Sequence, residues 1–190
     1  LHVSGKIKGD QKKFVFISGH APCEDAAPAA KEAFWTALGQ LMSRATDSSP
    51  SAAPCLLIDA NARVGPDPDG GQSIGDCEPD VISDNGSYLL SLLNKFDLAA
   101  INTHWKAGYT WRSSHGKTAR IDYICIRRRF LHRVLSCGVP ESIDLTMTTR
   151  EDHRTVAALV NFGRDADPSS RACRPSPPVL NKVMLQDNDK

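Results

Sequence analysis

The chain has 190 residues, 41% of them hydrophobic and 24% charged, with a formal net charge of +1 at pH 7. That is enough for one α/β domain with a continuous core, and the net charge alone does not mark a polyanion-binding protein. No apolar stretch approaches the roughly 20 residues that span a bilayer, residues 1–6 lack the charged-then-apolar layout of a secretory signal, and membrane insertion is not expected.

Residues 1–7 and Phe14-Val15-Phe16-Ile17 flank the turn-like Lys8-Gly9-Asp10-Gln11 and read as a β-hairpin, whose second strand ends at Ser18-Gly19-His20-Ala21-Pro22. Between residues 25 and 45, Phe34, Leu38, Leu41 and Ala45 recur at helical spacing, with Pro28 admissible only in the first turn. Residues 46–54 read as a Ser/Pro/Ala linker. Cys55-Leu56-Leu57-Ile58 is then a short apolar strand that delivers Asp59 at its carboxyl end, where α/β proteins commonly place chemistry. An acidic, glycine-rich loop follows over 65–80. Tyr88, Leu89, Leu92, Leu93 and Phe96 predict a second helix from Asp84 onward, followed by strands at 98–103, 121–126, 134–139 and 155–162. No connection is a glycine-rich phosphate loop. Residues 163–190, with Pro168, Pro175, Pro177 and Pro178, are expected to form a disordered tail. The six cysteines fall at irregular spacings with no Cys-x-x-Cys pair, so reduced thiols in an intracellular setting, nuclear or cytoplasmic, are the expectation.

Charge is unevenly spread. Residues 67–84 carry six acids (Asp67, Asp69, Asp76, Glu78, Asp80, Asp84) and no Lys or Arg, whereas residues 104–133 hold eight bases (Lys106, Arg112, Lys117, Arg120, Arg127, Arg128, Arg129, Arg133) against one acid, Asp122. Such a surplus either tracks a phosphate backbone or forms a solvated face, and the Arg127-Arg128-Arg129 run by itself favours the second.

Asp122 stands inside the apolar run Ile121 to Ile126, on the strand face of Ile124 and Ile126, where an unpaired carboxylate is costly. It needs a partner. His153 would serve, held at one ring nitrogen so that the other is presented to a phosphate; Arg120 would serve in a purely structural ion pair. Asp59 and Asn61, two residues apart at a strand end, are expected to project together, the carboxylate orienting a water and the amide donating to a phosphate oxygen; an ordinary turn uses the same residues. Asp152 offers hard oxygen ligands to Mg²⁺. His20 suits a general acid, a phosphate contact or a structural turn, and Trp111 reads as core rather than as a base-stacking platform.

Four segments lie in an order that carries further meaning: Phe16-Ile17-Ser18-Gly19-His20-Ala21-Pro22, Leu57-Ile58-Asp59-Ala60-Asn61-Ala62, Asn102-Thr103 with Tyr109-Thr110-Trp111 and Ile121-Asp122-Tyr123-Ile124, and Arg150-Glu151-Asp152-His153-Arg154-Thr155-Val156. As a set they resemble the endonuclease/exonuclease/phosphatase superfamily, the group of the AP endonucleases, pancreatic-type deoxyribonucleases and the endonuclease domains of non-long-terminal-repeat retrotransposons. The resemblance spans roughly residues 1–162. It implies an α/β fold, a two-layer β-sandwich flanked by helices in the four-layer deoxyribonuclease-like arrangement, with its N-terminal part missing.

The same resemblance implies roles. Asp59 becomes the water-orienting carboxylate, Asn61 the phosphate donor, Asp122 the orienter of His153, His153 the transition-state phosphate contact, Asp152 a carboxylate on the metal, and His20 a further phosphate contact. The cofactor implied is Mg²⁺ or Mn²⁺ and the partner nucleic acid, DNA first, with the oligomeric state open. Glu151 replaces the usual Ser, Ala60 an aromatic residue and Ile58 a glycine. The family's first-strand Asn and metal-binding Glu have no counterpart before Leu1, so the metal site is expected to be incomplete and the chain inactive as given. The reading is thus a metal-dependent phosphodiester hydrolase fragment acting on nucleic acid, with derivation from a retroelement as a further expectation. Its rivals are a non-catalytic remnant that binds nucleic acid weakly, and a phosphatase or phosphodiesterase acting on a small or lipid substrate.

Overall fold

The computed structural model describes residues 2–6, 13–48, 52–67, 70–140 and 152–161. In chain order its elements are β1 (His2–Lys6), β2 (Lys13–His20), α1 (Pro28–Asp47), β3 (Ala52–Asp59), α2 (Asp84–Lys95), β4 (Leu98–Ala100), β5 (Trp111–Arg112), β6 (Thr118–Ala119), β7 (Asp122–Arg127), β8 (Val134–Gly138) and β9 (Ala157–Val160). The main sheet has the order β1-β2-β3-β7-β4, and β5-β6 and β8-β9 form two-stranded ribbons. Within the main sheet β2 and β3 run parallel, with α1 as their crossover; the β1/β2, β3/β7 and β7/β4 pairs are antiparallel.

Strand periodicity divides the main sheet into two packed faces. Ile17, Leu56, Ile58, Tyr123 and Cys125 join one core with Trp35, Leu38 and Met42 of α1 and Leu89, Leu92 and Leu93 of α2. Phe14, Cys55 and Ile126 turn to the other side, where they meet Phe130, Val134 and Cys137 and the half-buried Val156, Ala158 and Val160 around the β8-β9 ribbon. The result is the mixed α/β sandwich that the resemblance implies, with helices outside one sheet only among the described residues.

Several boundaries differ from expectation. The predicted linker 46–54 is mostly structured: α1 runs to Asp47 and β3 begins at Ala52. Pro54 is tolerated there because β7 pairs with β3 only from Cys55 onward, so no ladder donor toward β7 is lost. The predicted strand 98–103 ends at Ala100 and turns into a 3-10 segment, Ile101–Thr103, in which the Thr103 hydroxyl donates to the Ala100 carbonyl at 2.6 Å. Trp111 is half-buried and outside both cores, in the β5-β6 ribbon. On α1 the buried stripe is Lys31, Trp35, Leu38, Met42 and Ala45; Phe34 and Leu41 lie at its margin. The turn at 8–11, the 163–190 tail and Glu151 lie outside the described residues.

The start of α2 is packed onto the loop after β3. Ser83 caps the helix by accepting from the Gly86 N–H at 3.3 Å, and a Cβ at Gly86 would run into the Arg63 carbonyl. Gly86→Ala is therefore expected to cost about 1–3 kcal/mol in urea unfolding. Unchanged stability would contradict that close approach.

Candidate functional site

Three strand ends meet at one edge of the main sheet. The β2/β3 register sets His20 opposite Asp59, and the β3/β7 register sets Asp59 opposite Asp122. Directly opposed residues project from the same face; alternation puts Asp59 with Cys55, and Asp122 with Ile126, on the side away from α1 and α2. An imidazole and two carboxylates thus stand in a row by strand register alone.

His153 reaches this row from the segment before β9. It forms a bridge with Trp111, flanked by an Arg112 N–H donating to the Asp152 carbonyl and an Arg154 N–H donating to the Thr110 carbonyl, each at 2.7 Å. The Arg112 and Arg154 guanidiniums both pack on the Tyr109 ring, 5.8 and 4.8 Å from its centroid. His153 Nδ1 lies 3.3 and 3.2 Å from the two Asp122 carboxylate oxygens, and His153 Nε2 lies 3.9 Å from Asp59 Oδ2. His20 Nε2 is 3.5 Å from the same Asp59 oxygen. Side-chain exposure rises from 18% at Asp59 and 22% at Asp122 to 39% at His153 and 73% at His20, so the carboxylates form the floor and the imidazoles the open rim.

Asn61 differs from expectation. The strand ends at Asp59 and Asn61 takes a left-handed backbone, φ 44°. Its N–H donates to Asp59 Oδ1 at 3.1 Å and its side-chain amide donates to the Ala21 carbonyl at 2.9 Å. The turn fixes the carboxylate by occupying Oδ1, which leaves Oδ2 facing both imidazoles. Asp152 is exposed and lies outside the group of Asp59, Asp122 and His153, whose ligand atoms are within 4.8 Å of one another. The alternative partner of Asp122, Arg120, is spent elsewhere: its guanidinium donates to the carbonyls of Asn102, Cys77 and Glu78. Arg127 and Arg128 are likewise engaged, with the Phe96 carbonyl and the Asp97 carboxylate.

Three residues support the site: Asn102 and Thr110 stand in the quoted motifs without an assigned role, and Asn85 stands outside them. Thr110 is fully buried and its hydroxyl accepts from the N–H groups of Ile121 and Asp122 at 3.0 and 3.1 Å. The Asn102 side chain donates to the Asp122 carbonyl at 2.9 Å. Asn85 accepts from the Trp35 indole at 2.9 Å and donates to the carbonyls of Pro22 and Asn61 at 2.9 and 3.2 Å, tying together the loops after β2 and β3. A helical wheel holds a signal for the last: Asn85 lies four residues before Leu89, on the apolar stripe of α2.

Burial raises the Asp122 carboxyl above its ordinary 3.8; the Thr110 hydroxyl and then the His153 imidazole pull it down, and Asp59 opposite pushes it up. An acid whose folded pKa is raised binds its proton more tightly when folded. Its contribution to stability is complete below the unfolded pKa and is lost as pH rises through the folded one. Ionised Asp122 thus weighs against the fold at neutral pH. Asp122→Asn is expected to gain stability relative to the parent between about pH 3 and about pH 7, read from urea melts at both ends. A parent advantage that grows toward neutral pH would contradict this.

No family model matches the sequence, and no curated protein matches it. Solved structures do. The chain is similar to the 3′-5′ exonuclease NExo from Neisseria meningitidis at 18% identity and TM-score 0.54, covering 85% of this chain and 65% of that one. It is similar to the 3′ phosphatase NExo from Neisseria bound to a product DNA hairpin, at 16% identity and TM-score 0.53, over 85% and 65%. A third likeness is to the endonuclease domain of TRAS1, a telomere-specific non-LTR retrotransposon, at 15% identity and TM-score 0.55, over 86% and 64%. The chain shares the fold of these nuclease and phosphatase structures and spans about two thirds of their length.

Proposed function

We propose that a chain with this fold handles phosphodiesters of nucleic acid, DNA first, through His20, Asp59, Asp122 and His153. The observation that carries the reading is the His153 to Asp122 contact at 3.2 Å beside Asp59, which turns one imidazole nitrogen outward from a half-buried carboxylate. Asp122 holds the ring at Nδ1. His153 Nε2, when protonated, donates to a non-bridging phosphate oxygen, and His20 at the rim does the same from the other side. Asp59, its Oδ1 fixed by the Asn61 N–H, orients the attacking water with Oδ2. The second amide hydrogen of Asn61 remains for a phosphate oxygen.

A divalent ion accompanies this fold in the implied chemistry, and Mg²⁺ demands a near-ideal octahedron of oxygens. The described residues gather two carboxylates and two imidazoles, and one carboxylate already holds His153. That donor set does not make a Mg²⁺ site. A further oxygen ligand, Asp152 first, is what a Mg²⁺ site here would need, and without one turnover is slow at best. Derivation from a retroelement is supported by the ordered Asn102-Thr103, Tyr109-Thr110-Trp111 and Ile121-Asp122-Tyr123 segments and by the likeness to the TRAS1 domain.

Nicking of supercoiled plasmid by the purified chain tests the proposal, with Asp59→Ala and His153→Ala as comparisons. Nicking that persists in both variants refutes it. Salt-sensitive DNA retention without nicking supports the non-catalytic rival, for which the exposed Lys106, Arg112, Lys117 and Arg129 remain available.

A further inference from the structure

We infer that the groove between α1 and α2 is a docking site for an acidic amphipathic helix of a partner protein. The two helices run side by side in the same direction, with Trp35 stacked on Tyr88 at a ring-centroid distance of 6.3 Å and Gly39 facing Leu92. Their outer surfaces border an open cavity of about 730 Å³, the size of a ligand pocket. It lies on the helix side of the main sheet, whereas the row of His20, Asp59 and Asp122 faces away from α1 and α2. The inference therefore does not rest on the hydrolase reading. Gly39 is what opens the cavity: it is buried in the middle of a 20-residue helix, where glycine is less favourable than alanine. A Cβ there would meet only Leu92 Cδ1, at 3.8 Å, an ordinary contact. Packing within the fold does not require the glycine, and the space it leaves is free for an occupant from outside.

Charge selects the occupant. Trp35 and Tyr88 make one end of the groove apolar, the exposed Arg44 and Lys95 stand at the other, and no acid lines it. Neither cation joins an ion pair among the described residues; the Lys95 ammonium rests 5.5 Å from the Phe96 ring instead. Between the two ends Thr36, Gln40, Ser43 and Ser91 supply neutral hydrogen-bonding groups. From Trp35 to Arg44 the groove is about 13 Å long, which takes about two turns of helix. An apolar anchor over Gly39 with carboxylates at the Arg44 and Lys95 end matches it, in the helix-in-groove mode of recognition. A second copy packing through the same groove brings more cations and no acid. A nucleic-acid strand fits no better, because Trp35 is 5% exposed with its indole N–H on Asn85 and offers no open ring to a base.

Fluorescence anisotropy of a fluorescein-labelled synthetic peptide, with leucines at helical spacing and glutamates at one end, titrated with the intact chain, tests this; amide NMR locates the contact. Binding is expected, with shifts centred on Gly39, Ser43, Ser91 and Leu92. Arg44→Glu together with Lys95→Glu should weaken it by about tenfold or more and favour a lysine-ended peptide instead. Gly39→Met fills the groove and should weaken binding as much, whereas Gly39→Ala fits the spare space, keeps binding within about threefold and raises the Tm. No binding by the parent at about 1 mM peptide, binding that survives the charge reversal, or a Gly39→Ala chain that melts lower would each overturn the inference. So would a single-stranded oligonucleotide that moves the same amides, or a chain that dimerises through them.

Discussion

Alanine at His153 is expected to lower plasmid nicking by about 10²–10³-fold while DNA affinity changes far less, because the imidazole is proposed to act on charge that develops only as the phosphate is attacked. The geometry supplies the reason. His153 is held at Nδ1 by the carboxylate of Asp122, whose backbone N–H and carbonyl are held by Thr110 and Asn102, so its outward nitrogen is fixed before substrate arrives. Asp122→Asn retains one acceptor for Nδ1 and should fall between the parent and His153→Ala in rate, although it is expected to match or exceed the parent in stability at neutral pH. That split separates a positioning role from a structural one. A His153→Ala chain that nicks within about threefold of the parent removes the phosphate contact from the account.

The second large effect is structural. Asn85→Ala is expected to destabilise the chain by about 2–4 kcal/mol, since it strands a buried indole N–H and takes a donor from two carbonyls, at about 1–3 kcal/mol for a buried group left unpaired. Asn85 is fully buried, and the adjoining N–H groups of Asp84 and Asn85 are already held by the Glu24 carboxylate at 2.8 and 3.3 Å, so little local rearrangement can replace it. The damage should extend to the site, because Asn85 holds the Asn61 carbonyl and Asn61 in turn orients Asp59. Urea unfolding measures the first effect, and faster amide exchange at Asn61 and Ala62 the second. A loss of less than about 0.5 kcal/mol would mean that water or a shifted side chain takes over.

Much of this arrangement is legible in the sequence, for identifiable reasons. Apolar runs that end in His20 and Asp59, and an acid inside the run from Ile121 to Ile126, mark strand ends that carry chemistry. Period-2 alternation correctly places Asp122 on the face of Ile124 and Ile126. Register is a different matter. That β2 and β3 are parallel neighbours while β7 inserts between β3 and β4 depends on contacts far apart in sequence, and only that order sets His20, Asp59 and Asp122 side by side. On α1 Trp35 and Met42 are buried where the spacing predicts Phe34 and Leu41, because Lys31 lies on the buried stripe, its ammonium 3.1 Å from Asp84 Oδ2, so a charged residue hides the Trp35-Leu38-Met42 pattern. Strand alternation also fails beyond Asp59. There the left-handed backbone of Asn61 replaces the extended chain, and the shared direction expected of Asp59 and Asn61 gives way to a turn that locks the carboxylate. Thr110 and Asn102 have no periodic signature, since their task is to satisfy backbone groups of another strand.

In the proposed function His20 and His153 flank one phosphate position above Asp59. Imidazole NMR signals of both residues, followed while a non-hydrolysable oligonucleotide is titrated into the chain, measure it most directly. The two rings are expected to shift together along one binding curve, and both shifts to be lost in Asp59→Ala while the fold is kept. Shifts confined to the basic residues of 104–133, with both rings unmoved at saturation, would contradict it.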